Sequence, residues 1–328
     1  MHTRTLGRTG RDVSVIGLGT WQLGADWGEV SEADAHAVLD ASWEAGVTFF
    51  DTADVYGDGR SETLIASWRA ARPDADVMVA TKMGRRVDQI PENYVLENFR
   101  AWTDRSRANL RVDTLDLVQL HCPPTPVYGS DEVFDALDTL VEEGAIANYG
   151  VSVERVEEAL AAIARPRVAS VQIILNAFRL KPLDDVLPAA QEAGVGIIAR
   201  VPLASGLLSG RYTKDTTFSA DDHRTYNRHG EAFDQGETFS GVDYAEGVEA
   251  AQEFAALAAE AGLAPATAAL AWVAQLPGVS TVIPGARNVA QAQSNAAAGS
   301  VGPLGEDFTA SVREIYDRRF RAAVHPRW

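Results

Sequence analysis

Short apolar runs alternate with longer stretches of helical spacing along the whole chain. Residues 4–6 and 13–15 flank the turn-rich GRTGRD and predict a short hairpin. Eight runs of strand length follow, at 16–19, 47–51, 77–82, 115–121, 146–151, 171–175, 196–201 and 279–283. Helical patterns separate them. The first starts at Ser31 and stops before Gly46, and others cover 61–72, 130–143, 153–164, 183–193, 244–261, 265–275 and 288–297. A long one follows Pro91 through NYVLENFRAWTDRSRANL, and a charged tail helix is predicted over 306–323. Strands alternating with helices imply βαβ units and a parallel sheet, and eight units favour a closed barrel. The expected class is α/β: a (β/α)8 TIM barrel with an N-terminal β-hairpin and C-terminal extension helices, one domain over 1–328. An open doubly wound sheet would need a G-x-G-x-x-G turn after its first strand, where this chain has GLGTWQLG. Residues 203–243 break the rhythm and are too long for a plain barrel connection, which marks a lid or binding loop.

In such a barrel, chemistry belongs at the C-terminal ends of the strands. The second run ends in Asp51, with Tyr56 a few residues on, the third ends in Lys82 and the fourth in His121. The fifth is followed by Ser152, the sixth carries Gln172 with Asn176 just beyond, and the seventh reaches Arg200. Each has a bland reading. Asp51 could cap, Tyr56 could be a turn aromatic, Lys82 could reach solvent, and His121 could satisfy a loop. Their coincidence on three successive strand ends favours a joint role. A tyrosine phenol, with its reference pKa near 10, is a poor acid at neutral pH unless an ammonium stabilises the phenolate. A carboxylate would hold that ammonium, and a histidine could orient a substrate oxygen. Such a site protonates a carbonyl oxygen as charge builds on it. The hydride must then come from a cofactor, because no side chain supplies one.

Composition narrows the partners. There are 29 basic and 46 acidic residues, a net charge of −17, which repels nucleic acid and anionic membranes. Only Lys82, Lys181 and Lys214 are lysines, so a lysine at a strand end stands out. One cysteine, Cys122, excludes an internal disulfide and a cysteine-rich zinc site. His223 and His229 have no partner at metal-ligand spacing, so no metal is expected. With Tyr226 they could line the substrate opening, while Trp27, Tyr128 and Trp328 could be pocket or packing aromatics. No apolar run approaches a membrane span, and the N-terminus lacks a secretory pattern, so a cytoplasmic protein is the default expectation. The sequence sets no oligomeric state.

From end to end the chain resembles the aldo-keto reductases. The matching pieces are LGRTGRDVSVIGLGTW, GVTFFDTADVYGDGRSE, ATKMG, RSRANLRVDTLDLVQLH, GAIANYGVS, PLASGLLSGRY and IPGARNVAQAQSN. The resemblance implies reversible reduction of aldehydes or ketones, with Tyr56 as general acid, Lys82 and Asp51 lowering its pKa, and His121 positioning the carbonyl. The implied partner is a small carbonyl substrate. It implies a nicotinamide cofactor, NADP (NADPH) before NAD. Gly19, Thr20, Trp21 and Asp51 would lie beside the nicotinamide and its ribose, and Ser152 and Gln172 would bind the carboxamide. Pro202, Leu203, Ser205, Gly206, Leu207 and Arg211 would follow the pyrophosphate. Gly285, Arg287, Gln291 and Asn295 would hold the adenosine end, with Arg287 toward a 2′-phosphate. Three positions depart from the family pattern. Val153 replaces a common asparagine, Arg200 replaces a common aromatic, and Gln291 replaces a common basic residue for which Arg287 could compensate. Arg200 could stack on or bond to the cofactor or an anionic substrate, or form a salt bridge across the barrel top. Some barrels of this family serve as channel-regulating subunits with little turnover, which is the alternative reading.

Overall fold

The computed structural model describes residues 1–24 and 30–328, and Trp27 lies outside the described residues. The predicted hairpin is present: β1 (Thr3–Thr5) pairs antiparallel with β2 (Asp12–Ser14). Eight parallel strands follow in sequence order: β3 (Leu18–Gly19), β4 (Phe49–Asp51), β5 (Met78–Met83), β6 (Leu117–His121), β7 (Tyr149–Ser152), β8 (Val168–Ile174), β9 (Gly196–Arg200) and β10 (Val279–Val282). The sheet closes on itself beside β3. Gly17 N–H donates to the Val282 carbonyl (2.8 Å), Val282 N–H to Val15 (3.0 Å) and Gly19 N–H to Pro284 (3.0 Å). The result is the expected (β/α)8 barrel, with helices between successive strands.

Boundaries move for local reasons. The run at 16–19 forms only a two-residue ladder with β4, because its first half serves the closure. The sixth strand begins at Val168, earlier than the periodicity predicts. Both faces of a barrel strand are covered, so Ala169 and Ser170 are buried alongside their apolar neighbours. The helix expected from 153 starts at Val156. The Glu158 carboxylate accepts from the N–H groups of Glu154 (3.0 Å) and Arg155 (3.1 Å) and so fixes that start.

The barrel interior is filled from below. Leu6 and Val13 of the hairpin join Phe49, Met78, Ala80, Leu117, Ile198 and Ile283 in one buried cluster. A larger apolar layer lies between the strands and the helices. The open end is therefore the mouth, where β4, β6 and β9 end in Asp51, His121 and Arg200. Above it runs 203–243, built of short turns and the four-residue helix His223–Tyr226. The chain's C-terminus pins this segment: Trp328 Nε1 donates to Asp234 (2.9 Å), and the Arg179 guanidinium stacks 4.2 Å from the Trp328 ring. Trp328 is thus a packing residue. The tail helix, Gly305–Arg319, is tied to the helix Tyr244–Glu260 through Arg319 and Glu246 (2.8 Å). Among the described residues no single helix is long and apolar enough to cross a membrane, and the one apolar pair is bent by 82°.

Candidate active site

At the mouth the four strand-end candidates meet. Lys82 and Asp51 form a buried ion pair, and Lys82 Nζ also donates to the Thr52 carbonyl (2.9 Å) and to Tyr56 Oη (3.4 Å). The other Asp51 oxygen accepts from Gln172 (2.8 Å) and Gln119 (3.2 Å). The ammonium is therefore locked behind the phenol rather than in the cleft. Tyr56 is carried by a turn whose next residue, Gly57, has φ +59° and packs directly against the Gly24 backbone, leaving no room for a Cβ. Its ring lies near-parallel to Trp21 (6.0 Å, 20°) and edge-on to His121 (6.0 Å, 84°).

Electrostatics refine the expected chemistry. Burial pushes the Tyr56 phenol above its ordinary value, and the Lys82 charge only partly offsets this, with Asp51 and Glu237 adding to the rise. Lys82 acts on the phenol in the expected direction, and desolvation of the phenolate outweighs that one ammonium. The phenol is held protonated. Burial works against charge on Lys82, but Asp51 and Tyr56 together outweigh it and the ammonium stays charged. Burial, with Arg85, Lys82 and Arg200 nearby, holds the His121 imidazole well below its usual range. It is neutral at physiological pH and offers one N–H. The arrangement therefore presents a protonated phenol backed by a cation and a neutral hydrogen-bond donor. These are the two contacts a carbonyl oxygen needs to accept a proton.

A cleft of about 800 Å³ runs from this group along the mouth. Gly19, Thr20, Trp21, Asp51, Tyr56, His121, Ser152, Gln172, Arg200, Pro202, Leu203, Ser205, Gly206, Arg211, Gly285, Arg287, Gln291 and Asn295 all line it. Leu207 does not. Its side chain is fully buried beneath the helix Tyr244–Glu260, because the turn at 204–209 points it into the core. Gln172 lines the cleft while bonded to Asp51, so it steadies the carboxylate as well as facing inward. At the far end the helix Val289–Ala297 begins with Asn288 accepting from Gln291 N–H (2.9 Å), and the Gln291 amide oxygen accepts from Arg287 N–H (2.8 Å). Asn295 Nδ2 fixes the preceding turn through the Gly285 carbonyl (3.1 Å). Arginines beside a helix N-terminus form an anion-binding end.

Arg200 takes the salt-bridge arrangement. Its guanidinium contacts Glu154 (2.8 Å), Glu237 (3.6 Å), the Val153 carbonyl (3.1 Å) and Cys122 Sγ (3.7 Å), while one face lines the cleft. Cys122, Glu154 and Glu237 are close enough together to hold a metal, but the guanidinium touches all three and is the cation there. Burial pushes the Cys122 thiol up to about 12, which disfavours its thiolate. Tyr128 is a packing residue whose hydroxyl donates to the Ser152 carbonyl (2.8 Å). His223 lines the cleft against Trp21 (5.6 Å), whereas His229 and Tyr226 do not line it.

Some contributors escaped the sequence reading. Gln119 had a signal, a polar residue inside the apolar run LVQLH. Glu237, Glu154 and Arg85 had none. Arg224 and Tyr212, which bond to each other on the loop side of the cleft, were hidden in 203–243.

Asp54, two residues before Tyr56, is fully buried with neither carboxylate oxygen bonded. Burial, with Glu62 adding to it, raises its pKa to about 7. The folded protein keeps a proton there that the unfolded chain releases near pH 4. Stability from this group is therefore lost as pH rises through about 4 to 7. Asp54→Asn removes that loss. Relative to the parent, the variant should gain on the order of 3–4 kcal/mol between pH 4 and pH 8, measured by urea unfolding at both pH values.

The closed barrel thus carries a tyrosine, lysine, aspartate and histidine at its mouth and, beside them, a long cleft with a basic end. The sequence model of the Aldo/keto reductase family matches residues 15–317, and the chain belongs to that family. It is 33% identical over 300 residues to an uncharacterized oxidoreductase of Mycobacterium bovis, covering 88% of this chain and 85% of that one. It is 30% identical over 330 residues to a probable voltage-gated potassium channel subunit beta of Oryza sativa subsp. japonica, covering 93% of each. Among solved structures, it is similar to a glycerol dehydrogenase from Gluconobacter oxydans, with TM-score 0.77, 28% identity and coverage of 94% and 93%. It is also similar to an aldo-keto reductase from Klebsiella pneumoniae in complex with NADPH, with TM-score 0.70, 25% identity and coverage of 96% of each.

Proposed function

We propose that this oxidoreductase reduces aldehydes or ketones, reversibly with alcohols, using NADPH. The observation that carries the reading is the protonated Tyr56 phenol, backed by the Lys82–Asp51 pair, at the end of a cleft whose other end is basic. When bound, the reduced nicotinamide supplies a hydride to the carbonyl carbon. Tyr56 Oη gives its proton to the carbonyl oxygen. Lys82 stabilises the phenolate left behind, and Asp51, held by Gln119 and Gln172, keeps Lys82 in place. His121, as a neutral donor, orients the oxygen.

The cleft suits a dinucleotide. Gly206, at φ +99°, leaves backbone where any Cβ would strike the Tyr212 ring, so the wall is narrow and built of main chain. Arg287 and Arg211 line the end suited to phosphate groups. Arg287→Ala should therefore raise the Kd for NADPH about 10- to 100-fold and the Kd for NADH far less, the difference expected for one charge-assisted bond to a 2′-phosphate. Fluorescence titration with both cofactors checks this. A cytoplasmic location goes with this reading, with 1–328 working as one barrel domain.

NADPH oxidation at 340 nm, followed with a panel of aldehydes and ketones, tests the reading. A second reading, a cofactor-binding regulatory subunit, draws on the likeness to the Oryza channel subunit. NADPH binding without turnover of any carbonyl would favour it.

A further inference from the structure

The mouth holds a carboxylate that the reductase chemistry does not use. Glu237 lies at the end of the short turn Gln235–Glu237 in the 203–243 segment, and it lines the cleft with Trp21, Tyr56, His121 and His223. Its position is fixed from two sides. Its carbonyl accepts from Ser205 Oγ (3.1 Å), and that oxygen accepts from Phe239 N–H (2.9 Å). Its carboxylate faces Arg85 (3.2 Å) and Arg200 (3.6 Å), and Arg200 also holds Glu154 (2.8 Å).

Burial alone would raise the Glu237 carboxyl, but Arg200, Arg85 and a hydrogen bond with Glu154 together outweigh it and hold it ionised. It lines the same chamber as Tyr56 and His223, and its charge acts on both. An ionised carboxylate has about four acceptor positions, and the contacts with Arg85, Arg200 and the Glu154 carboxyl leave a remaining position for the chamber. In the same chamber Trp21 lies near-parallel to Tyr56 and tilted against His223, a wall suited to carbon chains.

We propose that Glu237 reads the substrate, accepting a hydrogen bond from a hydroxyl on carbon near the carbonyl, so that hydroxy-aldehydes and hydroxy-ketones are the preferred class. The proposal rests on the reductase reading above. An alkyl substituent against Glu237 displaces water from a charge and returns no bond, which is costly. A substrate carboxylate at that point meets a like charge. A hydroxyl replaces the displaced water and keeps the acceptor satisfied. Sites built to bond a hydroxyl discriminate strongly against analogues lacking it.

The test compares kcat/KM of the wild-type protein with NADPH on three short aldehydes: glyceraldehyde, propanal and the anionic glyoxylate. Glyceraldehyde is expected to exceed each of the others by about 10-fold or more, the scale of one bond to a charged group. Glu237→Gln should bring the glyceraldehyde-to-propanal ratio toward one and raise glyoxylate relative to both. Equal wild-type efficiency on glyceraldehyde and propanal overturns the proposal and leaves the reductase reading standing, whether or not the variant folds. An equal loss on every aldehyde in Glu237→Gln, with the ratio kept, assigns Glu237 a purely structural role and also overturns it. Bound NADPH with no oxidation by any carbonyl overturns the reductase reading itself.

Discussion

Tyr56→Phe is expected to lower kcat by about 10²- to 10⁴-fold while leaving NADPH binding within a few-fold of the parent. The substitution removes one oxygen. Lys82 keeps its bonds to Asp51 and to the Thr52 carbonyl, so the ion pair behind the ring survives. The ring keeps its place beside Trp21, and the cleft wall is unchanged. What is lost is the acid: in its absence the carbonyl oxygen must take its proton from water. Steady-state kinetics and a fluorescence titration on the same preparation separate the two effects. An unchanged kcat would remove Tyr56 from the chemistry.

Lys82→Met carries the second large effect, on stability as well as rate. The pair it breaks is almost wholly shielded, with side-chain exposures of 1% for Lys82 and 3% for Asp51. Removing the ammonium leaves the carboxylate with only the Gln119 and Gln172 amides. Breaking a buried pair from one side costs about 3–5 kcal/mol, whereas replacing both partners is often close to neutral. Urea unfolding should therefore show Lys82→Met destabilised by about that amount, with Asp51→Asn/Lys82→Met recovering most of it. Neither variant should regain turnover, because the phenolate has lost its cation. A single variant as stable as the parent would mean that the pair is not charged in the folded protein.

The contrast between these residues and Glu237 shows how far the sequence could be read. The barrel was legible because a strand covered on both faces is a plain apolar run, and the chain punctuates eight such runs with helical spacing. Asp51, Lys82 and His121 were legible for the same reason: a polar residue that ends an apolar run in a parallel barrel stands at the mouth. Arg85 and Glu237 lie 152 residues apart, and no local pattern joins them. Only the folding of 203–243 over the mouth brings them together. The direction of the Tyr56 shift was hidden as well. Sequence places an ammonium near the phenol, but the extent of burial, which decides the sign, belongs to the packed structure. Leu207 was hidden at a finer scale, since within PLASGLLSGR the turn geometry buries its side chain while its neighbours face the cleft.

The central claim is that Tyr56 protonates a carbonyl as hydride arrives from a bound nicotinamide. Single-turnover reduction of glyceraldehyde by NADPH carrying deuterium at the transferring C4 position, with mass spectrometry of the alcohol, tests it most directly. The account predicts one deuterium at the carbinol carbon with the wild-type protein, formed at a rate that falls by orders of magnitude in Tyr56→Phe. Alcohol formed without deuterium, or at the same rate in both proteins, would contradict it.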